Sequence, residues 1–403
     1  MIKFSPINTN AKYYPKPLIP VLPAANFSSF TLVDNKNSES PFFQQGVFYS
    51  NARSALANAL ILSNVNKDCA VLLPAYHCGS MIEPAMWLKA NILLYKVNKD
   101  LTPNLNDIEY QIINSKKNVS AMLLPHYFGF LQDASYWRKF CEQHNIILIE
   151  DCAHAFFGLF NDNSFVGTKG HFAIASVRKF FCTPDGGILI SQNLKKNALP
   201  FQKQSFMAQI RSLLLLLQYS THYKRLNISS FLFSSIKKTP PPHLLAITPN
   251  SDIIPAKIPT EHNHSQWKWF NPALSNLKGS FFSHWLMKHS NLKQIISCRK
   301  KNYLTILNGI KNIQHLKPLF KTLPTNTIPY MFPVLLTSGE KDFDKLKRKG
   351  LPIWRWEELA KSNCTISQHY QFHLLHLPCH QELKSHEISW MLNLLRQSLG
   401  EKK

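Results

Sequence analysis

Apolar runs of strand length punctuate the first half of the chain, at residues 70–73, 92–95, 121–124 and 146–149, each closed by a proline, an acid or another polar residue. Helix-length stretches such as 135–143 separate them, and residues 55–62 carry a helical pattern soon after Gly46. Strands alternating with helices predict an α/β fold with a mostly parallel central sheet flanked by helices, because parallel neighbours are joined only by a crossover. In such a sheet ligands collect outside the carboxyl ends of the strands. Chemistry is therefore expected at 74–78, 125–129 and 150–154.

Residues 1–45 hold Pro15, Pro17, Pro20 and Pro23 with little periodicity, which predicts an N-terminal arm lying over the rest of the fold. A large domain is expected at 46–238. The run Pro240, Pro241, Pro242 and the prolines through Pro259 mark 239–265 as a linker or flap. Strand and helix patterns resume beyond it, predicting a smaller C-terminal α/β domain at 266–403 with helices at 281–307, 342–348 and 385–399. No internal repeat is present. The apolar stretch 206–219 reads as a helix packed in the core or at a dimer interface, the alternative being an amphipathic helix resting weakly on a membrane surface.

Composition narrows the partners. The 403 residues are enough for two cores, and 45% hydrophobic against 17% charged residues is the composition of a folded chain. Lys plus Arg number 46 against 23 acids, and the net charge of +23 favours anionic ligands such as phosphates and nucleotides. Nucleic acid fits poorly, because the lysines are scattered and no zinc-finger spacing or RNA-reading motif occurs. The longest strongly apolar run, 213–217, is far shorter than the ~20 residues of a membrane-spanning helix. Eight cysteines without paired spacing, and a start without a cleavable leader, predict a cytoplasmic location.

Three segments carry candidate chemistry. The apolar strand ending at Glu150 and Asp151, followed by Cys152, Ala153 and His154, delivers two acids to a sheet end, where a carboxylate can pair with a protonated ring nitrogen; a surface acid pair or a helix cap fits equally. Lys179 lies between the apolar runs of Phe172 to Val177 and Phe180 to Cys182, where partial desolvation lowers an amine pKa and suits it to imine formation. By itself such a lysine more often snorkels to the surface. Ser176 can reach a phosphate, and Gly186 with Gly187 allows a tight turn into the next strand. Arg53 and Ser54 open the helix at 55–62, where backbone amides and a guanidinium make a phosphate cradle, although an ordinary cap explains the serine as well.

Taken in this order, with the aromatic strand end Pro74, Ala75, Tyr76, His77, Cys78 and the later Asp185, Gly186, Gly187, these segments resemble the DegT/DnrJ/StrS sugar aminotransferases, which are pyridoxal-phosphate (PLP) enzymes of fold type I. The resemblance runs from about 46 to 190 and returns more weakly at 329–333, 350–356 and 377–381. It implies that Lys179 holds the cofactor as an imine and shuttles the proton, that Asp151 pairs with the pyridinium nitrogen, and that His154 stands near the ring oxygen. Arg53, Ser54 and Ser176 would hold the phosphate, Tyr76 or His77 would stack on the ring, and His126, Tyr127, Phe128 and Gly129 would shape the floor. The chain departs from the pattern at Ala52 and Arg53, where the family has Gly-Thr, and at Ile174, where it has Ser.

The resemblance further implies transfer of an amino group from an amino acid, expected to be glutamate, to a nucleotide-linked keto sugar, in cell-surface polysaccharide or secondary-metabolite biosynthesis. It implies a homodimer with shared active sites, for which Asn227 is a weak candidate to reach the neighbouring subunit. A sugar dehydratase would carry His in place of Lys179. The competing readings are a silent binding or regulatory protein on the same fold and a PLP enzyme acting on a non-sugar carbonyl. His373, His376, Cys379 and His380 are metal-type side chains, but they lie where a closing strand and turn are expected and have no second ligand group, so no metal is expected.

Overall fold

The computed structural model describes residues 2–7, 14–30, 33, 38–191, 202–227 and 268–402. The passage at 239–265 read as a linker or flap lies outside these residues.

The apolar runs form the strands β2 (Val47–Tyr49), β3 (Ala70–Pro74), β4 (Asn91–Tyr95), β5 (Val119–Pro125), β6 (Ile147–Asp151), β7 (Phe172–Ser176) and β8 (Gly187–Ile190), after a short N-terminal β1 (Phe4–Pro6). The seven join in one sheet in the order β2-β8-β7-β6-β5-β3-β4. Neighbours from β4 to β7 are parallel, while β8 is antiparallel to both β7 and β2. Leu72, Leu73, Leu123, Leu148 and Ile149 are fully buried in this layer, and each contributes about 1.5–3 kcal/mol of transfer free energy. Crossovers between the parallel strands include α3 (Gly79–Trp87), α4 (Leu105–Ile113) and α5 (Ala134–Gln143), which follow a four-residue α1 (Pro41–Gln44) and α2 (Ala52–Leu62); α6 (Phe206–His222) comes after the sheet.

Further along, β9 (Leu316–Pro318), β10 (Met331–Leu336) and β12 (Leu374–Pro378) make an antiparallel sheet, and β11 (Glu358–Ala360) pairs with β1. The helix expected at 281–307 is two helices, Phe281–His289 and Leu292–Gly309. The break has a local cause: Asn291 adopts an extended conformation and caps the second helix by accepting from the Gln294 N–H. No helix among the described residues is long and apolar enough to cross a membrane.

Two glycines let the layers meet. Gly129 has φ +100, and a Cβ there would lie 2.3 Å from the Ile328 carbonyl oxygen; beside it the Tyr330 N–H donates to the Phe128 carbonyl, tying β10 to the end of β5. A Cβ on Gly187 would lie 2.1 Å from the Asn51 carbonyl carbon, so glycine is what allows β8 to pass the start of α2.

Alternation along β6 turns Glu150 and Asp151 to opposite faces. Glu150 is fully buried and accepts from His126 Nε2 at 2.9 Å and from the backbone N–H groups of Gly167, Lys169 and Gly170. His126 Nδ1 accepts from the Gln132 N–H, so the ring proton is on Nε2 and points at Glu150. This carboxylate anchors the loop after β6. Glu150→Gln would turn an amide N–H₂ toward these donors and should lower unfolding stability by about 2–4 kcal/mol in urea titration; an unchanged midpoint would show that the charge does not hold the loop.

Candidate active site

The ends of β5, β6 and β7 and the start of α2 converge because β8 returns antiparallel beside them. The Gly186 N–H donates to Ser50 O at 2.8 Å, and the Val177 N–H donates to Gly186 O at 3.1 Å. The turn Val177–Lys179 is thereby hung next to Asn51, which caps α2 by accepting from the Ser54 N–H.

Asp151 is buried at the tip of β6, and its backbone carbonyl accepts from the His126 N–H. Its Oδ1 accepts from the Ala153 N–H at 2.9 Å, and no described residue donates to Oδ2. Burial raises the carboxyl pKa, opposed first by the charge of Lys179 and then by the Ala153 N–H and His126. Lys179 is half-buried, and its amine has no hydrogen-bond partner among the described residues. Nζ lies 5.2 Å from the centre of the Tyr330 ring. Desolvation lowers the amine pKa and Arg53 lowers it further, while Cys78 and Asp151 raise it. A lysine in this state keeps a larger neutral fraction than one in water.

His154 packs on Tyr330 at 4.4 Å between centroids, and its Nδ1 accepts from the Phe128 N–H. Burial first, then the charges of Lys179 and His376, hold its pKa well below the usual range, so the ring is neutral with its proton on Nε2. Tyr76 is fully buried, its ring 4.7 Å from Trp356 and its hydroxyl 3.2 Å from His376 Nε2. Phe128 and Tyr127 pack in the same aromatic group.

Two of the residues expected here are engaged elsewhere. His77 turns from the site: its Nε2 accepts from the Ala360 N–H, and burial lowers its pKa to about 3. The Ser54 hydroxyl donates to Leu274 O at 3.0 Å. Ser176 is half-buried, lies opposite Gly187, and its side chain makes no hydrogen bond to a described residue. Arg53 is buried, with Nε on Asn51 Oδ1 at 3.3 Å. The metal-type side chains at 373–380 have separate partners: His373 faces the Leu336 carbonyl, His376 faces Tyr76, Cys379 faces the Tyr330 carbonyl, and His380 faces the Pro20 carbonyl.

Sequence reasoning passed over two arginines. Arg299, fully buried in the helix Leu292–Gly309, donates to the carbonyls of Lys179, Pro329 and Tyr330 and to Gln381, and stacks 4.5 Å over Phe180. It locks the lysine turn to the start of β10. Helical spacing sets it on the face of Ile295, Tyr303 and Ile306, a signal of burial, but does not reveal the distant carbonyls it pairs with. Arg178 precedes the lysine, and its Nη1 is sealed from solvent without a partner among the described residues.

Residues 43–213 match the sequence model of the DegT/DnrJ/EryC1/StrS aminotransferase family. The chain is 26% identical over 163 residues to GDP-perosamine synthase of Escherichia coli O157:H7, spanning 40% of this chain and 44% of that protein; it thus matches less than half the length of this curated relative. Among solved structures, the aminotransferase TlmJ from Streptoalloteichus hindustanus superposes with a TM-score of 0.60 at 15% identity, covering 88% of this chain and 86% of TlmJ. Helicobacter pylori PseC, an aminotransferase of pseudoaminic acid biosynthesis, gives 0.60 at 12% identity over 96% and 99%. These likenesses establish the aminotransferase fold. The segment that carries Lys179, Asp151 and the start of α2 is thus, through residues 43–213, similar to the DegT/DnrJ/EryC1/StrS aminotransferase family.

Proposed function

We propose that this chain is a PLP-dependent aminotransferase that moves an amino group from an amino acid, glutamate, to the carbonyl carbon of a nucleotide-linked keto sugar, working as a homodimer in the cytoplasm. The observation that carries the reading is the pairing of an unpartnered lysine amine with a buried aspartate that keeps one oxygen open, the two close enough to shift one another's pKa. The family match and a relative that is a perosamine synthase support the reaction and the sugar class, and the net charge of +23 suits a diphosphate carrier.

The residues fit pyridoxal phosphate. Among the described residues, Asp151 Oδ2 is open to a protonated pyridine nitrogen and Lys179 Nζ to an aldehyde, and the charge of Arg53 at the start of α2 would attract a phosphate. When bound, the cofactor supplies a charged ring that withdraws electrons from the carbon bearing the amino group. Lys179 would hold it covalently and carry the proton at Nζ, a task helped by burial, which lowers the amine pKa. Asp151 keeps its carboxylate in a fixed direction through the Ala153 N–H. His154 offers a hydrogen bond from Nε2, and Tyr76 is the ring-stacking candidate, since His77 is spent on β11.

Lys179→Ala should abolish the borohydride-trappable link to PLP and nearly all transamination with glutamate and a panel of nucleotide-linked keto sugars, while circular dichroism stays native. A pyridoxyl group mapped to any other lysine, or to none, overturns the mechanism. Asp151→Asn should retain cofactor yet lose activity by at least about tenfold, because the ring nitrogen loses the partner that keeps it charged.

The pKa directions give a separate check. Competitive labelling with acetic anhydride should place the Lys179 midpoint below the ordinary value of about 10.4. Asp151→Asn should lower it further, by removing a charge that favours the ammonium form, and Arg53→Met should raise it. Shifts of the opposite sign would mean that the charges are not arranged as described.

A further inference from the structure

Arg178 is set in a position that costs free energy unless an anion joins it. It follows Val177, whose N–H is held by Gly186, which is itself held by Ser50 at the start of α2. Its Nη1 is buried and has no hydrogen-bond partner among the described residues, and a sealed guanidinium N–H without an acceptor is among the more expensive groups a fold can carry. Burial lowers both guanidinium pKa values to about 10, and the charge of Arg178 lowers that of Arg53 further. The acids nearest the pair, Glu83 beside Arg53 and Asp185 beside Arg178, favour the charged guanidiniums but also accept from other donors. Asp185 accepts from Ser280, Ser283 and Gln204, and Glu83 accepts from the N–H groups of Lys268, Trp269 and Phe270. The first turn of α2 adds backbone N–H groups that have no partner within the helix. A buried guanidinium N–H without an acceptor among the described residues, a second guanidinium beside it and the N–H donors of a helix start suit a dianion.

We propose that Arg178 and Arg53 together bind the phosphate monoester of the cofactor, in place of the hydroxyl groups that this chain lacks at Arg53 and Ile174 or has turned away at Ser54. The inference rests on the functional reading above. On pyridoxal phosphate the aldehyde and the phosphate arm leave adjacent ring carbons, so a phosphate group must lie beside the lysine that takes the aldehyde. Arg178 is the residue next to Lys179, and Arg53 is carried by the helix start against which Gly187 packs. The diphosphate of a sugar nucleotide is the other source of the same chemistry, and the experiment separates the two.

Affinities for PLP and for pyridoxal, which has the aldehyde but no phosphate, would be measured for the wild type, Arg178→Met and Arg178→Lys, with borohydride trapping on Lys179 as the control. Arg178→Met should weaken PLP at least about tenfold and leave pyridoxal unchanged within about twofold, with Arg178→Lys between. An unaltered preference for PLP over pyridoxal in a folded variant overturns the proposal, as does a variant that loses affinity for a nucleoside diphosphate but not for PLP. A readout on the wild type guards against misfolded variants. Two guanidinium groups favour the dianion and lower its pKa, so the 31P resonance of bound PLP should not titrate between about pH 5.5 and 8.5, whereas a free phosphate monoester titrates near pH 6. A bound phosphate that titrates like the free one overturns the proposal. If neither PLP nor pyridoxal can be trapped on Lys179, the functional reading fails and this inference falls with it.

Discussion

Two adjacent acids at the tip of one strand face opposite ways, and the site depends on the one that points away from it. Glu150 is a buried carboxylate whose two oxygens are consumed by His126 and three backbone N–H groups. That saturation is what makes burial of the charge tolerable, since an unpaired buried carboxylate costs far more than its hydrogen bonds return. It fixes the loop after β6 and, through His126, the turn at 127–129. Asp151 inherits a rigid platform on the other face, with one oxygen held by Ala153 and the other open.

The lysine side is assembled by different means. Arg299 gathers the carbonyls of Lys179, Pro329 and Tyr330 around one guanidinium, so the turn that presents the amine is bound to the strand that presents Tyr330. Gly129 allows the same strand approach to reach the end of β5. The distance between Lys179 and its aromatic surroundings is therefore set by backbone contacts rather than by side-chain packing alone, which is the kind of support a reacting group needs.

Electrostatics divides the site into two regions. Around Asp151 and Lys179 a single acid faces a single amine, and each moderates the penalty that burial imposes on the other. A little further along two buried guanidiniums lie together, the charge of Arg178 opposing that of Arg53, with Glu83 favouring Arg53 and Asp185 favouring Arg178. His154 and His376, which share the space with Lys179, are kept neutral by burial and by that amine, so they serve as hydrogen-bonding groups and not as additional charges.

The order of strands and helices was readable from apolar runs, because a strand buried on both faces must be apolar along its whole length, and the run at 146–149 already delivered Glu150 and Asp151 to a strand end. Lys179 was readable too, as a cation between apolar segments. What the chain could not disclose locally is which polar groups are spent. Ser54 and His77 have the right chemistry and the right place in sequence, yet their partners, Leu274 and Ala360, lie more than 200 residues away along the chain. Arg178 and Arg299 look like ordinary basic residues until tertiary packing buries one without an acceptor and surrounds the other with carbonyls. Periodicity determines which residues are buried, because it is a local property of the backbone; the pairing of buried polar groups is decided only when distant segments meet.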